Sequence, residues 1–184
     1  YFFIRFEDEG KNLIMKVVYS DLKNKRVFIS GGGSGIGATI VEHFCEQKSE
    51  VYFIDIDLKS SKKLIKKIKK KGYRVPKFIE CNILDVKKLQ NIIKDIISKK
   101  GAIHCLINSA ANDDRHTTEQ VDEKYWENRM GINLKHYFFA AQAVVKGMKK
   151  IKSGSIVNLS SVSWMLGEGD KVVYETAKSA VVGL

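Results

Sequence analysis

The run Arg26-Val-Phe-Ile-Ser-Gly-Gly-Gly-Ser-Gly-Ile-Gly37 joins a short apolar segment to a cluster of glycines. The apolar segment predicts a buried strand, and the apolar periodicity between residues 40 and 44 predicts a helix directly after the glycines. Glycines in such a turn let the backbone approach a pyrophosphate, which then lies on the positive N-terminus of the following helix. Gly31, Gly35 and Gly37 therefore predict a nucleotide-binding turn.

An acidic residue ends the next apolar run, Val51-Tyr-Phe-Ile-Asp55. At the end of this predicted strand, the Asp55 carboxylate can accept hydrogen bonds from both ribose hydroxyls of an adenosine. The same carboxylate would repel a 2′-phosphate, so the sequence favours NAD over NADP, with Lys59 as the nearby residue that could reverse this preference. The alternative is that Asp55 caps the next helix, a role that Asp57 could fill equally well.

Outward from these two units, strand and helix patterns alternate along the chain. Further strands are predicted over residues 75–80, 105–109 and 155–160, and further helices over residues 58–71, 86–99, a long stretch before residue 150 and the segment from residue 173. The apolar face of the long helix is predicted to comprise Leu134, Phe138, Ala141, Val145 and Met148. Pro76 cannot donate to a ladder, so its strand should lie at the sheet edge or begin with Pro. The alternation predicts an α/β fold whose parallel sheet is covered on both faces.

Tyr174 and Lys178 are four residues apart, so on the last predicted helix both side chains leave the same face. An ammonium held near a phenol favours the phenolate, which can then act as a base near neutral pH. Ser161 precedes a loop punctuated by Gly167 and Gly169, and this loop could fold the serine back over the tyrosine. The alternative is an ordinary amphipathic helix.

The composition excludes several classes of protein. The chain has 184 residues, 44% hydrophobic and 29% charged, which is typical of one globular domain. The net charge of +11 comes mostly from Lys, whereas phosphate and base recognition favours Arg, so no nucleic-acid partner is predicted. No apolar run approaches the roughly 18 residues of a membrane span, and no metal site is predicted. The three cysteines, Cys45, Cys81 and Cys105, indicate reduced core residues and a cytoplasmic location.

Both ends of the sequence are atypical. Residues 1–14 mix aromatic and acidic side chains and fit neither a signal peptide nor a capped helix, so they are expected to be a non-native or disordered leader. Residues 15–184 are expected to form a single nucleotide-binding domain. Because Leu184 lies within the predicted last helix, we expect the C-terminal part of the domain to be missing.

Several motifs occur in the order and spacing of the short-chain dehydrogenases/reductases, which the chain resembles from about Leu22 to Leu184. These motifs are Ser30 to Gly37, Asp55, Asn82 to Asp85, Asn108 to Ala111, Asn133, Ser161 and the pair Tyr174 and Lys178. The resemblance implies a Rossmann-type doubly wound parallel sheet, here truncated after about five strands, and NAD(P)-dependent hydride transfer. It also implies a catalytic tetrad of Asn133, Ser161, Tyr174 and Lys178, with Asn133 at a local disturbance of the long helix.

The resemblance extends the cofactor site beyond the glycines and Asp55. The implied cofactor-binding residues are Gly31, Gly33, Ser34, Gly35, Ile36, Gly37, Asp55, Asn82, Ile83, Asn108, Ala110, Tyr174 and Lys178. The sequence departs from the family pattern in three places: Ser30 replaces Thr, Asn82 replaces Asp, and Ser109 and Ala111 replace Asn and Gly.

Within the family, the loops resemble those of bacterial aldose 1-dehydrogenases, so the expected substrate is a sugar oxidised to a lactone. Trp164 could support a sugar ring face, with core packing under the loop as the alternative. Ser163 and Asn112 could bind hydroxyls, and Ser161 and Tyr174 would contact the reacting hydroxyl. His116 and Arg115 are expected to brace loops or an interface.

Other functions remain open. One alternative is a different reaction on the same scaffold, either reduction of a 3-oxoacyl group or oxidation of another secondary alcohol, and a less favoured one is a non-catalytic dinucleotide-binding protein. The family resemblance also implies a homo-oligomer, a dimer or tetramer packed through the long helix from Tyr125 and the helix that carries Tyr174.

Overall fold

A parallel sheet of five strands forms the centre of the protein. The computed structural model describes residues 2–8 and 13–184, with side chains from residue 17 onward. In chain order the strands are β1 (Phe2–Asp8), β2 (Leu13–Tyr19), β3 (Arg26–Ser30), β4 (Glu50–Asp55), β5 (Lys77–Glu80), β6 (Cys105–Asn108) and β7 (Ser155–Asn158). Strands β3 to β7 pair in parallel in the order β5-β4-β3-β6-β7.

Helices connect the strands of this sheet. They are α1 (Gly35–Glu46), α2 (Leu58–Lys70), α3 (Val86–Lys100), α4 (Glu123–Met130), α5 (His136–Lys150), α6 (Ser163–Leu166) and α7 (Val172–Val181). A π-helical segment, Gly131–Lys135, joins α4 to α5, and two short 3-10 turns lie at Ser20–Leu22 and Thr118–Gln120. Within the described parts of the chain, no helix has the length and apolar character that crossing a membrane requires.

Two apolar layers cover the two faces of the sheet. Successive residues of a strand point to opposite faces, so Val27 packs with Val41 of α1 and Ile68 of α2, whereas Phe28 packs with Leu89 of α3 and the apolar face of α5. This arrangement confirms the predicted doubly wound Rossmann-type sheet.

The strand order reverses between β3 and β6. From β3 the chain moves outward through β4 to β5 on one side, and then returns to place β6 and β7 on the other side. In open α/β sheets the crevice beyond the carboxyl ends of the strands at such a reversal is where ligands bind. The topology therefore locates the site before any side chain is considered.

The predicted elements occur, with small shifts at their ends. The strand predicted over residues 75–80 begins at Lys77 because Pro76 cannot take part in the ladder, and β5 is an edge strand, as predicted. The strand predicted over residues 155–160 ends at Asn158. Cys45 and Cys105 lie in α1 and β6, whereas Cys81 follows β5, and all three cysteines are free.

The predicted apolar face of the long helix is wrong by about one residue. Phe138 and Val145 are 49% and 38% exposed, and the buried face instead contains Tyr137, Ala140 and Val144. Both faces of α5 are apolar, so the 3.6-residue periodicity cannot tell which one packs on the sheet.

A two-stranded antiparallel unit precedes the parallel sheet. Strands β1 and β2 pair from Phe2 opposite Tyr19 to Asp8 opposite Leu13, and the sequence predicted neither strand. The prediction of a leader over residues 1–14 also covers residue 1 and residues 9–12, which lie outside the described residues.

Candidate active site

A cleft of about 680 Å³ lies beyond the carboxyl ends of the strands, where the strand order reverses. It has the size of a typical small-molecule or cofactor site. Its lining comes from the end of every strand of the parallel sheet: Gly31, Ser34, Gly35, Ile36 and Gly37 after β3, Asp55, Ile56 and Asp57 at β4, Cys81, Asn82 and Ile83 after β5, Ser109 to Asp113 after β6, Leu159 and Ser160 after β7, and Ile132, Tyr174 and Lys178 from the helices.

The glycine turn lies in close contact with its own backbone and with the loop after β6. A Cβ atom on Gly37 would lie 1.9 Å from the Gly31 carbonyl oxygen, and one on Gly31, whose φ is +69°, would lie 2.6 Å from the Ala110 Cα. No side chain larger than hydrogen fits at either place. The first N–H groups of α1 have no intrahelical acceptors, and the Ser34 side chain does not cap them. The turn therefore has the form of a cradle for an anionic group.

Asp55 is held by backbone N–H groups at the rim of the cleft. Its Oδ2 accepts a hydrogen bond of 2.8 Å from the Gly33 N–H, and its Oδ1 accepts one of 2.8 Å from the Asp57 N–H. The N-cap of α2 is Asp57, whose Oδ1 accepts from the Ser60 N–H at 2.9 Å. The helix-cap alternative for Asp55 is therefore wrong, and its carboxylate faces the cleft.

The Ser30 hydroxyl ties the glycine turn to the loop after β6. Its Oγ accepts hydrogen bonds from the Ser109 N–H at 3.2 Å and the Ala110 N–H at 3.3 Å. The serine that replaces threonine here thus keeps the bridging hydroxyl. Ser109 and Ala111 both line the cleft.

Tyr174 and Lys178 enter the cleft from α7. The Lys178 ammonium lies 5.6 Å from the centre of the Tyr174 ring, and the lysine is 1% exposed. Burial lowers the pKa of Lys178 to about 8. The predicted pairing of the two side chains on one helix face is therefore present.

Asn133 is buried in the π-helical segment, so the predicted disturbance of the long helix is confirmed. Its amide and the backbone of Asn112 form two reciprocal bonds: the Asn112 N–H donates to Oδ1 at 2.8 Å, and Nδ2 donates to the Asn112 carbonyl at 2.9 Å. The Asn133 side chain thus fixes the loop after β6 and does not line the cleft.

Ser161 lies just outside the residues that line the cleft, between β7 and α6. Its Oγ is 2.8 Å from the Ser163 Oγ and accepts the Ser163 N–H at 3.2 Å. Ser163 is 3% exposed, so the structure makes it a partner of Ser161 and not an open substrate contact. Trp164 is half-buried in α6 and is also outside the lining.

The loops around Tyr174 are braced as predicted for His116 and Arg115. The buried His116 donates its backbone N–H to the Asp170 carbonyl at 2.8 Å, and its Nε2 accepts the Val173 N–H at 3.4 Å. Arg115 donates to the Gly169 carbonyl at 3.4 Å. These bonds join the loop after β6 to the start of the helix that carries Tyr174.

The structure brings most of the predicted site residues together in one cleft. The predicted residues in the lining are Gly31, Ser34, Gly35, Ile36, Gly37, Asp55, Asn82, Ile83, Ala110, Asn112, Tyr174 and Lys178. Those outside it are Gly33, Asn108, Asn133, Ser161, Ser163 and Trp164. Gly33 and Asn108 are buried and support the site, Gly33 through Asp55 and Asn108 through a 2.9 Å bond to the Asn158 Oδ1.

Sequence reasoning missed several lining residues. These are Ile56, Asp57, Cys81, Ser109, Ala111, Asp113, Ile132, Leu159 and Ser160. Most of them follow directly after a predicted strand, so their position at a strand's carboxyl end was the signal that could have identified them. Tyr137, which contacts Lys178, was missed because the wrong face of α5 was predicted as buried.

Taken together, the cleft combines an anion cradle, a carboxylate at its rim and a phenol beside a buried ammonium. This set can bind a phosphate-containing dinucleotide at one end and move a proton at the other.

Comparisons with known proteins agree with this geometry. The family model described as short chain dehydrogenase matches residues 25–184. The chain is 40% identical over 168 residues to "D-xylose 1-dehydrogenase" of Caulobacter vibrioides, and 38% identical over 166 residues to "Probable galactose dehydrogenase GalD" of Rhizobium meliloti. These matches cover 91% and 90% of this chain and 65% of each relative, so the chain spans about 65% of the length of these curated relatives.

The protein is also similar to a solved dehydrogenase structure. The ligand-free aldohexose dehydrogenase of Thermoplasma acidophilum superimposes with a TM-score of 0.78 at 28% identity, covering 90% of this chain and 60% of that one. From the family match and these relatives, we conclude that the chain belongs to the short chain dehydrogenase family.

Proposed function

We propose that the protein is an NAD-dependent oxidoreductase that oxidises an aldose at its anomeric carbon to a lactone. The observation that carries this proposal is the placement of Tyr174 and Lys178 in the same cleft as the glycine turn and Asp55. The sugar substrate is supported by the relatives named for xylose, galactose and aldohexose oxidation.

The residues of the cleft fit a nicotinamide dinucleotide. A Cβ on Gly35 would meet no atom within 4 Å, so the backbone at this residue is open to a pyrophosphate at the N-terminus of α1. Asp55 would accept the adenosine ribose hydroxyls and disfavour a 2′-phosphate, which supports NAD over NADP. Asn82 and Ile83 line the cleft and would contact the adenine. When bound, the oxidised nicotinamide supplies the acceptor for a hydride.

The chain's own residues supply the proton chemistry. Tyr174 takes the proton of the anomeric hydroxyl, while the nearby Lys178 ammonium favours the phenolate form of such a base. Ser161 donates a hydrogen bond to the same substrate oxygen and stabilises the charge that develops there. Asn133 holds the loop of Asn112 in place and, as its backbone lies in the π-helical segment, would position a water that relays the proton outward.

The substrate end of the cleft is formed by the loops after β6 and β7. Asn112 lines the cleft and would bind a sugar hydroxyl, and Trp164 would support a ring face once a sugar enters between the loops. Ser163 would contribute by orienting Ser161.

We also propose a homo-oligomer and a cytoplasmic location. Phe138 and Val145 form an exposed apolar face on α5, and Val172 is 41% exposed at the start of α7. Homodimer interfaces are more apolar than the rest of a protein surface. Burial raises the pKa of Cys45 to about 12 and that of Cys105 to about 11, which suits thiols that stay reduced.

Replacing Tyr174 tests the proposed chemistry. In the purified protein, a panel of aldoses, secondary alcohols and a 3-oxoacyl thioester is assayed with NAD and with NADP, or with their reduced forms for the thioester. We expect oxidation of an aldose with NAD, and Tyr174→Phe should reduce turnover by about 100- to 10,000-fold because the base is lost. NAD affinity, measured by titration, should persist.

The matched control is Tyr73→Phe, which removes a hydroxyl that lies near Glu46 and away from the cleft. This variant should keep wild-type turnover. Retained turnover in Tyr174→Phe would contradict the assignment of the base, and preference for the alcohol or the thioester would contradict the sugar substrate.

A further inference from the structure

Tyr137 is a tyrosine on the sheet side of α5 whose hydroxyl is directed at the active site. The residue is completely buried, and its Oη accepts a hydrogen bond of 2.8 Å from the Lys178 Nζ. The same hydroxyl donates to the Leu159 carbonyl at 3.2 Å and lies 3.4 Å from the Ala110 carbonyl. A phenylalanine would fill the same volume, so packing alone does not explain the hydroxyl.

The Lys178 ammonium donates to two neutral acceptors and has one N–H group left to face the cleft. Its ammonium donates to the Tyr137 Oη and, at 2.7 Å, to the Leu159 carbonyl. An ammonium has three N–H groups, so a third remains to face the cleft that Lys178 lines. Within the part of the chain whose side chains are described, Lys178 makes no ion pair, so these two acceptors carry its stabilisation.

The titratable side chains of Tyr137, Tyr174 and His136 lie near the Lys178 ammonium. It lies 4.9 Å from the centre of the Tyr137 ring and 5.6 Å from that of Tyr174. Burial, and then the nearby Tyr174, raise the pKa of Tyr137, which therefore stays a neutral hydroxyl. Burial, and then Lys178 itself, lower the pKa of His136 to about 3, so this histidine adds no charge near neutral pH.

We propose that Tyr137 is a positioning residue that holds the Lys178 ammonium in its charged form and at its place beside Tyr174. This inference rests on the proposed function, in which the ammonium supports Tyr174 as the base. Tyr137 is not among the residues that line the cleft. It acts through Lys178, and it also joins α5 to the loops after β6 and β7.

The proposal predicts the direction of a change in proton affinity. A hydrogen bond to an ammonium favours its charged form, so removing the acceptor lowers the pKa of Lys178 further below about 8. In Tyr137→Phe we expect a decrease of about one unit, a ten-fold loss of proton affinity. The alkaline limb of the kcat profile should shift to lower pH by the same amount, with a loss of kcat of about ten-fold at about pH 9.

Lysine labelling measures this change without turnover. Acetic anhydride modifies the neutral amine, and the pH dependence of labelling at the Lys178 peptide, followed by mass spectrometry, gives the titration midpoint. The control is Tyr52→Phe, which removes another buried tyrosine hydroxyl, one that bonds Glu50 and lies away from the cleft. A folded Tyr137→Phe protein with the wild-type midpoint, or with kcat reduced equally at every pH, would overturn the proposal.

A second variant retains the hydroxyl at position 137 and its hydrogen bonds. Incorporation of 3-fluorotyrosine at position 137 weakens the oxygen as an acceptor and should shift the Lys178 midpoint in the same direction by a smaller amount. An unshifted midpoint here would also overturn the proposal. If the wild type oxidises no aldose, the proposed substrate fails while the labelling result still decides the role of Tyr137.

Discussion

His136 is a histidine held without charge inside the protein. It is completely buried, and its pKa is lowered to about 3, chiefly by burial and secondly by Lys178. Its Nε2 lies 3.4 Å from the Ser30 Oγ. Because the Ser30 oxygen already accepts two backbone N–H groups, the serine's own hydrogen is directed to Nε2. With this arrangement Nε2 is the acceptor through which the histidine supports the glycine turn.

This buried histidine predicts a loss of stability in acid. An unfolded histidine has a pKa of 6.5 and the folded one is near 3, so below 6.5 the unfolded state binds more protons, and stability falls as the pH drops toward 3. From His136 alone, the free energy of unfolding should decrease by about 2 kcal/mol between about pH 7 and pH 5. His136→Gln, which keeps an acceptor for Ser30, should lack this part of the decrease.

Urea unfolding of both proteins at the two pH values measures the difference. The control is His43→Gln, which replaces a histidine whose side chain is 69% exposed. An equal decrease in His136→Gln and wild type would show that the buried ring is not the source.

At the scale of the element, the packing of α1 against the glycine turn limits what the turn can carry. Gly37 is the third residue of α1, and a Cβ there would lie 1.9 Å from the Gly31 carbonyl oxygen. Alanine in a helix gains about 1 kcal/mol over glycine in propensity, whereas forcing atoms into a filled space costs about 1–3 kcal/mol or more. The clash wins because its partner is backbone, which cannot rotate away.

Gly37→Ala should therefore destabilise the protein by about 2 kcal/mol and abolish cofactor binding, as measured by thermal unfolding and by NAD titration. Gly169→Ala is the matched control, since a Cβ at that position meets open space. A Gly37→Ala protein of wild-type stability would show that the turn can open to admit the methyl group. The contact between Gly37 and the Gly31 carbonyl oxygen would then not limit the stability of the protein.

Many of the strands, helices and site residues could be predicted from the sequence. The strands, the glycine turn, Asp55 and the pair Tyr174 and Lys178 follow from local periodicity and spacing, which depend on residues near one another. The buried face of α5 did not follow, because Phe138 and Tyr137 are both apolar enough to pack on the sheet. Only the tertiary fold chooses between them, and the contact between Tyr137 and Lys178 depends on that choice.

A second prediction, the environment of Ser163, differs from the structure for another reason. Ser163 was predicted to face the substrate, but the short helix α6, which the sequence did not predict, buries it against Ser161. A four-residue helix has too little periodicity to be detected.

At the scale of the whole molecule, the proposed homo-oligomer would form through the exposed face of α5. Phe138 and Val145 are exposed, on a different face of α5 from the buried core residues of the same helix. Val145→Glu should break an oligomer formed through this face, because the interface would have to bury a charge without a partner. Sedimentation velocity should show a smaller species than for the wild type.

Lys63→Gln is the control for charge, since it also lowers the net charge by one and lies on α2, on the other side of the sheet. This variant should keep the wild-type assembly. If Val145→Glu also keeps it, the copies associate through another surface.

The reciprocal bonds between Asn112 and Asn133 have a consequence for how this site could change over time. They make the loop after β6 and the π-helical segment one mechanical unit, although the two lie far apart in the sequence. A loop borrowed from a relative would lose both bonds unless it offered the same backbone to Asn133. New substrate preferences should therefore arise most readily from changes of side chains on the existing loop. Insertions in the loop, or its replacement, would require a simultaneous change in the π-helical segment.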